Sequence, residues 1–267
     1  MVKACRQGIC QPGKTLTAYL YVAHAHALGD TACMSSVNSQ QVFNFNLVPA
    51  NTFETFYARD MVFINLLKSI AIRDHNEKQV FIWGPEGTGK THLLQAICHA
   101  AQNVDQRSMY VPLAECSTHE AGFLEDLNTL DILCIDDIHL VAGKSEWETA
   151  LFNLINLIRA SNSTIVIASE KSPAENMFEL PDLNSRSVWG PVYKLPRISD
   201  DKLGEVISLH ATKSGLIVSD EVKNFLLSRY QRELPKLVQA LEKLNHASLQ
   251  EQRKVTIPFV KKVLAIN

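Results

Sequence analysis

The stretch that decides the fold is Gly84–Thr91, GPEGTGKT, which follows the short apolar run QVFIW at 79–83. It fits the P-loop pattern at every fixed position. Its glycines allow a tight turn whose backbone amides can surround phosphate oxygens, at the start of a helix expected from about Lys90 to Ala101. The residues of the predicted nucleotide site in this loop are Gly84, Pro85, Glu86, Gly87, Thr88, Gly89, Lys90 and Thr91.

Two carboxylates agree with this site. Asp136 and Asp137 end the apolar run DILCID at 131–136, and ligands of open α/β sheets bind at the carboxyl ends of strands. We expect Lys90 to reach the outer phosphates, and Thr91 and Asp136 to hold Mg²⁺. Asp137 could orient an attacking water, although aspartate is shorter than the glutamate that many such ATPases carry. The alternative is that both carboxylates only cap the following loop.

Strands and helices alternate around this loop. Apolar runs predict further strands at 108–113, 131–136, 163–169 and 192–195. Helical periodicity covers 59–72, and capping-box patterns predict helices from STHE at 117–120 to about Leu127 and from SEWE at 145–148. After Leu195 the pattern is helical, with segments starting at Ser199, Ser219, Glu233 and Pro258. This predicts an α/β core, a parallel five-stranded sheet between helices, followed by a small α-helical lid domain.

Composition narrows the class of protein. The 267 residues are 46% apolar, enough for a sizeable core. Residues 34–267 hold 23 basic and 27 acidic residues, a net charge of −4 that argues against binding DNA by bulk phosphate neutralisation. Six cysteines in a chain of this length do not predict a disulfide framework, so we expect a cytoplasmic protein. The apolar run at 16–28 is too short to span a bilayer, and we expect translation to start at Met34.

Longer strings resemble a known family. Four strings are similar to the AAA+ domain of the DnaA family of bacterial replication initiators. They are LCIDDIHLVAGKSEWETALFNLIN, SEKSP, LPDLNSRSVWG and QRELPKLVQALEKL. The resemblance runs from about Asn44 to the end of the chain, and is strongest to a branch of regulators that inactivate the initiator. It implies an AAA+ fold that binds ADP or ATP with Mg²⁺.

The resemblance also implies roles for three further residues. Glu170 falls at the sensor 1 position near the outer phosphate, where the initiator carries an aspartate. Arg186 falls at the arginine-finger position, which reaches a neighbour's nucleotide, and Arg232 at the sensor 2 position on the lid. The alternatives are that Arg186 pairs with a nearby carboxylate such as Asp182, and that Arg232 is a solvated charge.

A short peptide precedes the core. QQVFNF at 40–45 has the form Q-x-x-φ-x-φ, where φ is a bulky apolar residue, and resembles peptides that dock on the sliding clamp. The residues predicted to bind the clamp are Gln40, Phe43 and Phe45. The alternative is a strand packed on the core. The predicted organisation is a disordered extension (1–39), a clamp-binding peptide (40–47), a nucleotide-binding domain (48–197) and a lid (198–267).

Together these features lead to a functional hypothesis. We expect a regulator that, with the DNA-loaded sliding clamp of DNA polymerase III (its beta subunit), stimulates hydrolysis of ATP bound to the DnaA initiator. We expect the protein to contact DNA only through the clamp. Bound nucleotide could control the formation of a homo-oligomer. We expect no contact with a membrane. We expect no second helical module after the lid, and so no direct reading of DNA. The alternatives are an autonomous AAA+ ATPase such as a helicase loader, or a small-molecule kinase, which neither the lid nor NSRSVWG supports.

Overall fold

A parallel sheet lies at the centre of the core. The computed structural model describes Phe45 and residues 47–116, 120–175, 177–229 and 233–266. The strands are β1 (Gln79–Trp83), β2 (Ser108–Pro112), β3 (Ile132–Asp136), β4 (Thr164–Ser169) and β5 (Val192–Lys194). Their order is β2-β3-β4-β1-β5 and every neighbouring pair is parallel. The predicted five-stranded parallel sheet is confirmed.

Helices cover the sheet, so its central strands are buried on both faces. All residues of β3 and β4 are buried, which is why their sequences are continuous apolar runs. The helices are α1 (Met61–Ala71), α2 (Lys90–Gln102), α3 (Leu113–Cys116), α4 (Ser145–Ala160), α5 (Pro181–Ser187), α6 (Leu203–Lys213), α7 (Asp220–Arg229), α8 (Leu234–Glu251) and α9 (Ile257–Leu264). No helix in the described ranges has both the length and the apolar composition that crossing a membrane requires.

The strand register brings the predicted chemistry to one edge of the sheet. Trp83, which precedes the glycine-rich loop, pairs with Ser169 at the end of β4. Asp136 pairs with Pro112 at the end of β2. Because the strands are parallel, the glycine-rich loop, Asp136 and the residue after Ser169 all follow carboxyl ends at the same edge.

The lid has an apolar core of its own. Helices α6 to α9 contribute it, with the loops between them, and Leu226, Leu244 and Val260 are fully buried. Its other buried members are Leu203, Ile207, Ala211, Leu216, Val222, Leu237, Leu241, Val255 and Phe259. The predicted helical lid is therefore confirmed. Core and lid together form one compact unit that starts at Leu47.

The helix predicted from STHE to about Leu127 is wrong. Residues 117–119 lie outside the described part of the chain, and the segment after them forms two short 3₁₀ turns, Ala121–Leu124 and Leu127–Thr129. Gly122, Asp126 and Asn128 have low helix propensity. The buried Phe123 meets Trp147 of α4 edge to face, at 5.8 Å between ring centroids. Packing against α4 therefore decides the conformation here.

The second predicted capping box is also wrong. Helix α4 starts at Ser145, its N-cap is Lys144, and no side chain caps it. Glu148, the last residue of the SEWE pattern, is 98% buried and accepts the backbone N–H of Gly143 at 2.7 Å and that of Leu180 at 2.7 Å. It also accepts the N–H of Glu179 at 3.1 Å. Glu148 thus fastens the segment before α5 to α4.

Candidate nucleotide-binding site

The glycine-rich loop needs glycine at both of its ends. Gly84 and Gly89 have φ of 157° and 94°. A side chain at Gly84 would overlap the carbonyl oxygen of Leu195, and a Cβ at Gly89 would lie 2.7 Å from the ring of Phe56. Gly89 is the N-cap of α2 and provides no capping side chain, so the first amides of that helix are open to an anion.

Lys90 is a nearly buried cation. Its side chain leaves the first turn of α2, and the residue is 7% exposed. Its ammonium donates to the carbonyl oxygens of Gly84 at 2.8 Å and Pro85 at 3.1 Å. No salt bridge to Lys90 is present in the described part of the chain. A buried ammonium held only by carbonyl dipoles is well prepared to bind phosphate.

Asp136 is surrounded by hydrogen-bond donors. Its carboxylate is 99% buried and accepts the hydroxyl of Thr91 at 2.6 Å and that of Tyr110 at 3.0 Å. Its other oxygen accepts the N–H of Asp137 at 3.0 Å. The structure therefore brings Thr91 and Asp136 together as the sequence predicted. Tyr110 was missed, because on β2 it looks like one more buried strand residue.

Asp137 lies beside this pair and lines the cavity described below. It has a left-handed φ of 55°, which turns the chain sharply away from β3. Burial, and next the negative charge of Asp136, raise the pKa of Asp137. Its carboxylate is thus more basic than an ordinary aspartate, as suits a group that orients water.

Glu170 follows β4 at the same edge of the sheet. Its backbone N–H donates to Nδ1 of His139 at 3.3 Å, and its carboxylate lies 3.7 Å from Nε2 of the same ring. The side chain is 55% exposed and is not among the described residues that line the cavity. A role for Glu170 near the outer phosphate therefore stays a prediction.

A cavity of about 530 Å³ opens beside the loop, large enough for a nucleotide. Asp137 and Ile198 line it, and three parts of the chain form the rest of its wall. They are the segment from Val48 to Tyr57, the loop with the start of α2, and residues of α6 and α8 in the lid. Gln95 of α2 fastens the first of these, because its side-chain oxygen accepts the N–H of Val48 at 3.0 Å and the amide of Asn51 at 2.9 Å.

Two histidines form part of this wall. His92 makes hydrogen bonds through Nε2 with the carbonyl of Thr52 at 2.8 Å and with the hydroxyl of Thr55 at 3.2 Å. Burial lowers the pKa of His92 to about 4 and also lowers the pKa of His210. Both imidazoles are therefore neutral at neutral pH, and the two rings meet edge to face with centroids 6.1 Å apart. No local sequence signal marks these histidines.

The lid touches the phosphate-binding loop directly. Leu234, Pro235 and Val238 of α8 line the cavity, and a Cβ at Gly87 would lie 3.1 Å from Cγ of Pro235. The predicted sensor, Arg232, lies outside the described residues. So do Gln40 and Phe43 of the predicted clamp-binding peptide, whereas Phe45 and Leu47 are described and partly buried.

Arg186 lies far from this cavity. The side-chain amide of Gln79 donates to its carbonyl oxygen at 2.8 Å, and Gln79 is the first residue of β1, whereas the phosphate-binding loop follows the last. The five residues of β1 therefore place the backbone of Arg186 about 13 Å along the sheet from the start of the phosphate-binding loop. The Arg186 guanidinium donates from Nε to Asn156 at 2.7 Å and lies 4.1 Å from the ring centroid of Phe152. Asp182 accepts from the guanidinium only through its backbone carbonyl oxygen, at 3.3 Å, so the alternative pairing of Arg186 with the Asp182 carboxylate is not formed.

These features define the class of the protein. A P-loop on a five-stranded parallel sheet, an aspartate at the neighbouring strand end and a helical lid are those of an AAA+ protein. Residues 47–194 match the family model of the bacterial DnaA ATPase domain, and residues 200–264 match that of the lid domain of Hda. The chain therefore belongs to the DnaA-related AAA+ family and is Hda-like.

Individual relatives agree with this assignment. An uncharacterised protein of Haemophilus influenzae is 40% identical over 231 residues, which are 85% of this chain and 99% of the relative. Domain III of the Thermotoga maritima initiator DnaA is 27% identical with a TM-score of 0.67, covering 83% of this chain and 98% of that one. DnaA of Aquifex aeolicus, bound to AMPPCP, is 23% identical with a TM-score of 0.61. The match covers 77% of this chain and 71% of that one.

Proposed function

We propose that this protein is a negative regulator of DNA replication initiation. Docked on the DNA-loaded sliding clamp, it stimulates hydrolysis of the ATP held by the DnaA initiator and so inactivates it. The observation that carries this proposal is the place of Arg186, at the end of the sheet opposite to the chain's own phosphate-binding loop. Because Arg186 lies too far from the chain's own phosphate-binding loop to act there, we infer that it serves a second protein's nucleotide. The Hda-type lid supports this function.

The chain's own nucleotide is ADP or ATP. The amides of the loop and the ammonium of Lys90 bind its phosphates, and the base occupies the cavity beside His92. The Thr91 hydroxyl and the Asp136 carboxylate, which share a hydrogen bond of 2.6 Å, are oxygen ligands that suit Mg²⁺. When bound, the cation neutralises phosphate charge. Asp137 would support a weak intrinsic ATPase activity.

Arg186 supplies the catalytic charge in trans. A guanidinium that reaches a second nucleotide stabilises the charge that develops during phosphoryl transfer, worth about 10³- to 10⁵-fold in rate. Asn156 and Phe152 hold the group from two directions, which reduces the entropy that would be lost on docking. Arg186 is nevertheless only half-buried, and no carboxylate among the described residues forms a salt bridge with its guanidinium.

The bound nucleotide acts as a switch through the lid. Pro235 contacts the phosphate-binding loop at Gly87, so a change in the bound phosphates that moves the loop also moves α8. Arg232, two residues before α8, is placed in the sequence to sense the same phosphates. ADP is the ligand that we expect to give the active regulator.

The peptide at 40–45 is the tether to the clamp. Gln40 would form hydrogen bonds at a small polar subsite, while Phe43 and Phe45 enter an apolar pocket. Contact with DNA is then indirect. Because the clamp is loaded once synthesis has begun, the tether limits inactivation of the initiator to the time after initiation.

The decisive experiment compares Arg186→Ala with the wild type. Hydrolysis of ATP bound to DnaA is measured with the DNA-loaded clamp and with ADP on this protein. We expect stimulation to fall by at least about 100-fold while the affinities for ADP and clamp stay within twofold. Arg229→Ala, at an exposed arginine over the ring of Phe225, is the matched control and should stimulate normally. Full stimulation by Arg186→Ala would show that the finger assignment is wrong.

A second variant tests the tether. Gln40→Ala/Phe45→Ala should abolish binding to the clamp and leave ADP binding intact. If the wild type does not bind the clamp, and DNA alone strongly stimulates its ATPase activity, the protein is an autonomous ATPase of the helicase-loader kind.

A further inference from the structure

Arg186 belongs to a larger group of stacked side chains. We call this group the arginine–tryptophan stack; its members are Phe152, Arg159, Arg186 and Trp189. The guanidinium carbon of Arg159 lies 4.3 Å from the ring centroid of Trp189, and that of Arg186 lies 4.8 Å from the same centroid. One indole therefore holds two arginines, from the last turn of α4 and from α5.

The stack concentrates positive charge. Since both guanidinium carbons lie within 5 Å of one ring centre, they are no more than about 9 Å apart. The electron-rich face of an indole attracts each cation, but the two cations repel each other. No salt bridge to Arg159 or to Arg186 occurs within the ranges that the structure describes. The pair therefore lacks a counter-charge that an anion could provide.

The surroundings of the stack suit a protein partner. Trp189 is 41% exposed, and Val188, which precedes it in the chain, is 48% exposed. Exposed tryptophan and arginine are typical of the residues that dominate binding energy at interfaces. A cation in the last turn of α4 also interacts favourably with the helix dipole. That effect explains a positive charge at Arg159, but not its stacking on the indole that also carries Arg186.

We propose that Arg159 is a second anion-binding arginine, which recognises the phosphate chain of the partner's nucleotide together with Arg186. This inference rests on the proposed function, and it assigns different tasks to the two residues. Arg186 acts on the reacting phosphoryl group, whereas Arg159 adds affinity for the nucleotide-loaded partner. Trp189 positions both guanidinium groups, so that neither has to be ordered when the partner arrives.

The first test separates affinity from rate. Stimulation of DnaA-bound ATP hydrolysis is measured against the concentration of the wild type, of Arg159→Gln and of the control Arg229→Gln, with the clamp in excess. We expect Arg159→Gln to raise the half-maximal concentration about tenfold with a maximum within twofold of the wild type. Arg229→Gln, which also removes an arginine from the last turn of a helix and from an aromatic ring, should match the wild type. An unchanged half-maximal concentration for Arg159→Gln overturns the inference.

The second test does not depend on the proposed partner. Inorganic tripolyphosphate is titrated into the protein with saturating ADP present to fill its own loop, and tryptophan fluorescence is recorded. Trp189→Phe identifies the signal that comes from the stack, because Trp83 and Trp147 also emit. We expect a saturable change in the wild type that Arg159→Gln weakens at least tenfold. No change, or an equal affinity in both proteins, overturns the inference, even if stimulation of DnaA is never observed.

Discussion

The side-chain amide of Gln79 donates hydrogen bonds to the carbonyl oxygens of Arg186, at 2.8 Å, and of Ser187, at 3.2 Å. Gln79 is 4% exposed and begins the strand whose other end leads into the phosphate-binding loop. One buried glutamine thus sets the position of Arg186, the proposed arginine finger, relative to the sheet. The bonds join residues 107 and 108 positions apart in the sequence.

Replacing Gln79 should therefore affect the finger and spare the nucleotide. Gln79→Leu keeps the volume but leaves two carbonyl oxygens without their donor, which costs about 1–3 kcal/mol of stability. We expect stimulation of DnaA to fall at least tenfold, because the finger loses its fixed position, and ADP affinity to stay within twofold. Urea unfolding, calorimetric ADP titration and the hydrolysis assay measure the three quantities.

The exposed Gln102, at the end of α2, provides the control for that substitution. Gln102→Leu should leave stability, ADP affinity and stimulation as they are. Stimulation by Gln79→Leu that equals the wild type would mean that the finger is positioned by Asn156 and the two aromatic rings alone.

Gly190 should tolerate no side chain. A Cβ there would overlap the carbonyl oxygen of Gln79, so Gly190→Ala must displace either β1 or the segment that carries Trp189. We expect a loss of stability of about 3 kcal/mol or more, seen as a lower urea midpoint. Gly122→Ala is the matched control, since its Cβ would meet nothing within 4 Å, and should change stability by less than about 1 kcal/mol. Equal unfolding midpoints for the two variants would contradict the close approach.

Glu148 should be far more important than its place in a helix's first turn suggests. Glu148→Gln keeps the size of the side chain but replaces one of the oxygens that accept the N–H groups of Gly143, Glu179 and Leu180. Breaking such a buried, charge-assisted network costs about 2–4 kcal/mol. Glu146→Gln, at the exposed neighbour in the same turn, should cost less than about 0.5 kcal/mol by the same urea measurement. Similar losses in the two variants would show that Glu148 does not anchor α5.

Local patterns predicted most of the fold. The apolar runs of β1, β3 and β4 are intrinsic to buried parallel strands, and the glycine spacing of the loop follows from its own backbone geometry. The capping-box patterns failed because the residues concerned have distant partners. Glu148 accepts the N–H of Gly143 just before its own helix, but it also binds Glu179 and Leu180, which are more than 30 residues away.

The candidate site was predictable only where a motif covers it. The contact of Thr91 with Asp136 follows from the P-loop pattern together with the aspartate that ends the apolar run DILCID. Three other contacts join distant parts of the chain. They are the hydrogen bond of the Tyr110 hydroxyl to Asp136, that of the Val48 N–H to Gln95, and the ring contact of His92 with His210. Only the folded sheet and lid bring them together, so no local pattern reports them.

His92 makes the stability of the folded protein depend on pH. Its pKa is about 4 in the folded protein against an ordinary value of 6.5, so between these values the unfolded chain binds more protons than the folded one. The stability that His92 contributes is therefore complete above pH 6.5 and is lost as the pH falls toward 4. The pKa values of His75 and His210 are lowered by burial as well, and they act in the same direction.

His92→Gln removes the titrating group while its amide can still donate to the carbonyl of Thr52. Between pH 6.5 and 4.5 we expect the variant to lose about 2 kcal/mol less stability than the wild type, in urea unfolding at each pH. His246→Gln, on the exposed face of α8, controls for the substitution itself. Parallel stability curves for His92→Gln and the wild type would mean that His92 is protonated as easily in the folded protein as in the unfolded chain, and that the cavity wall is wetter than its packing implies.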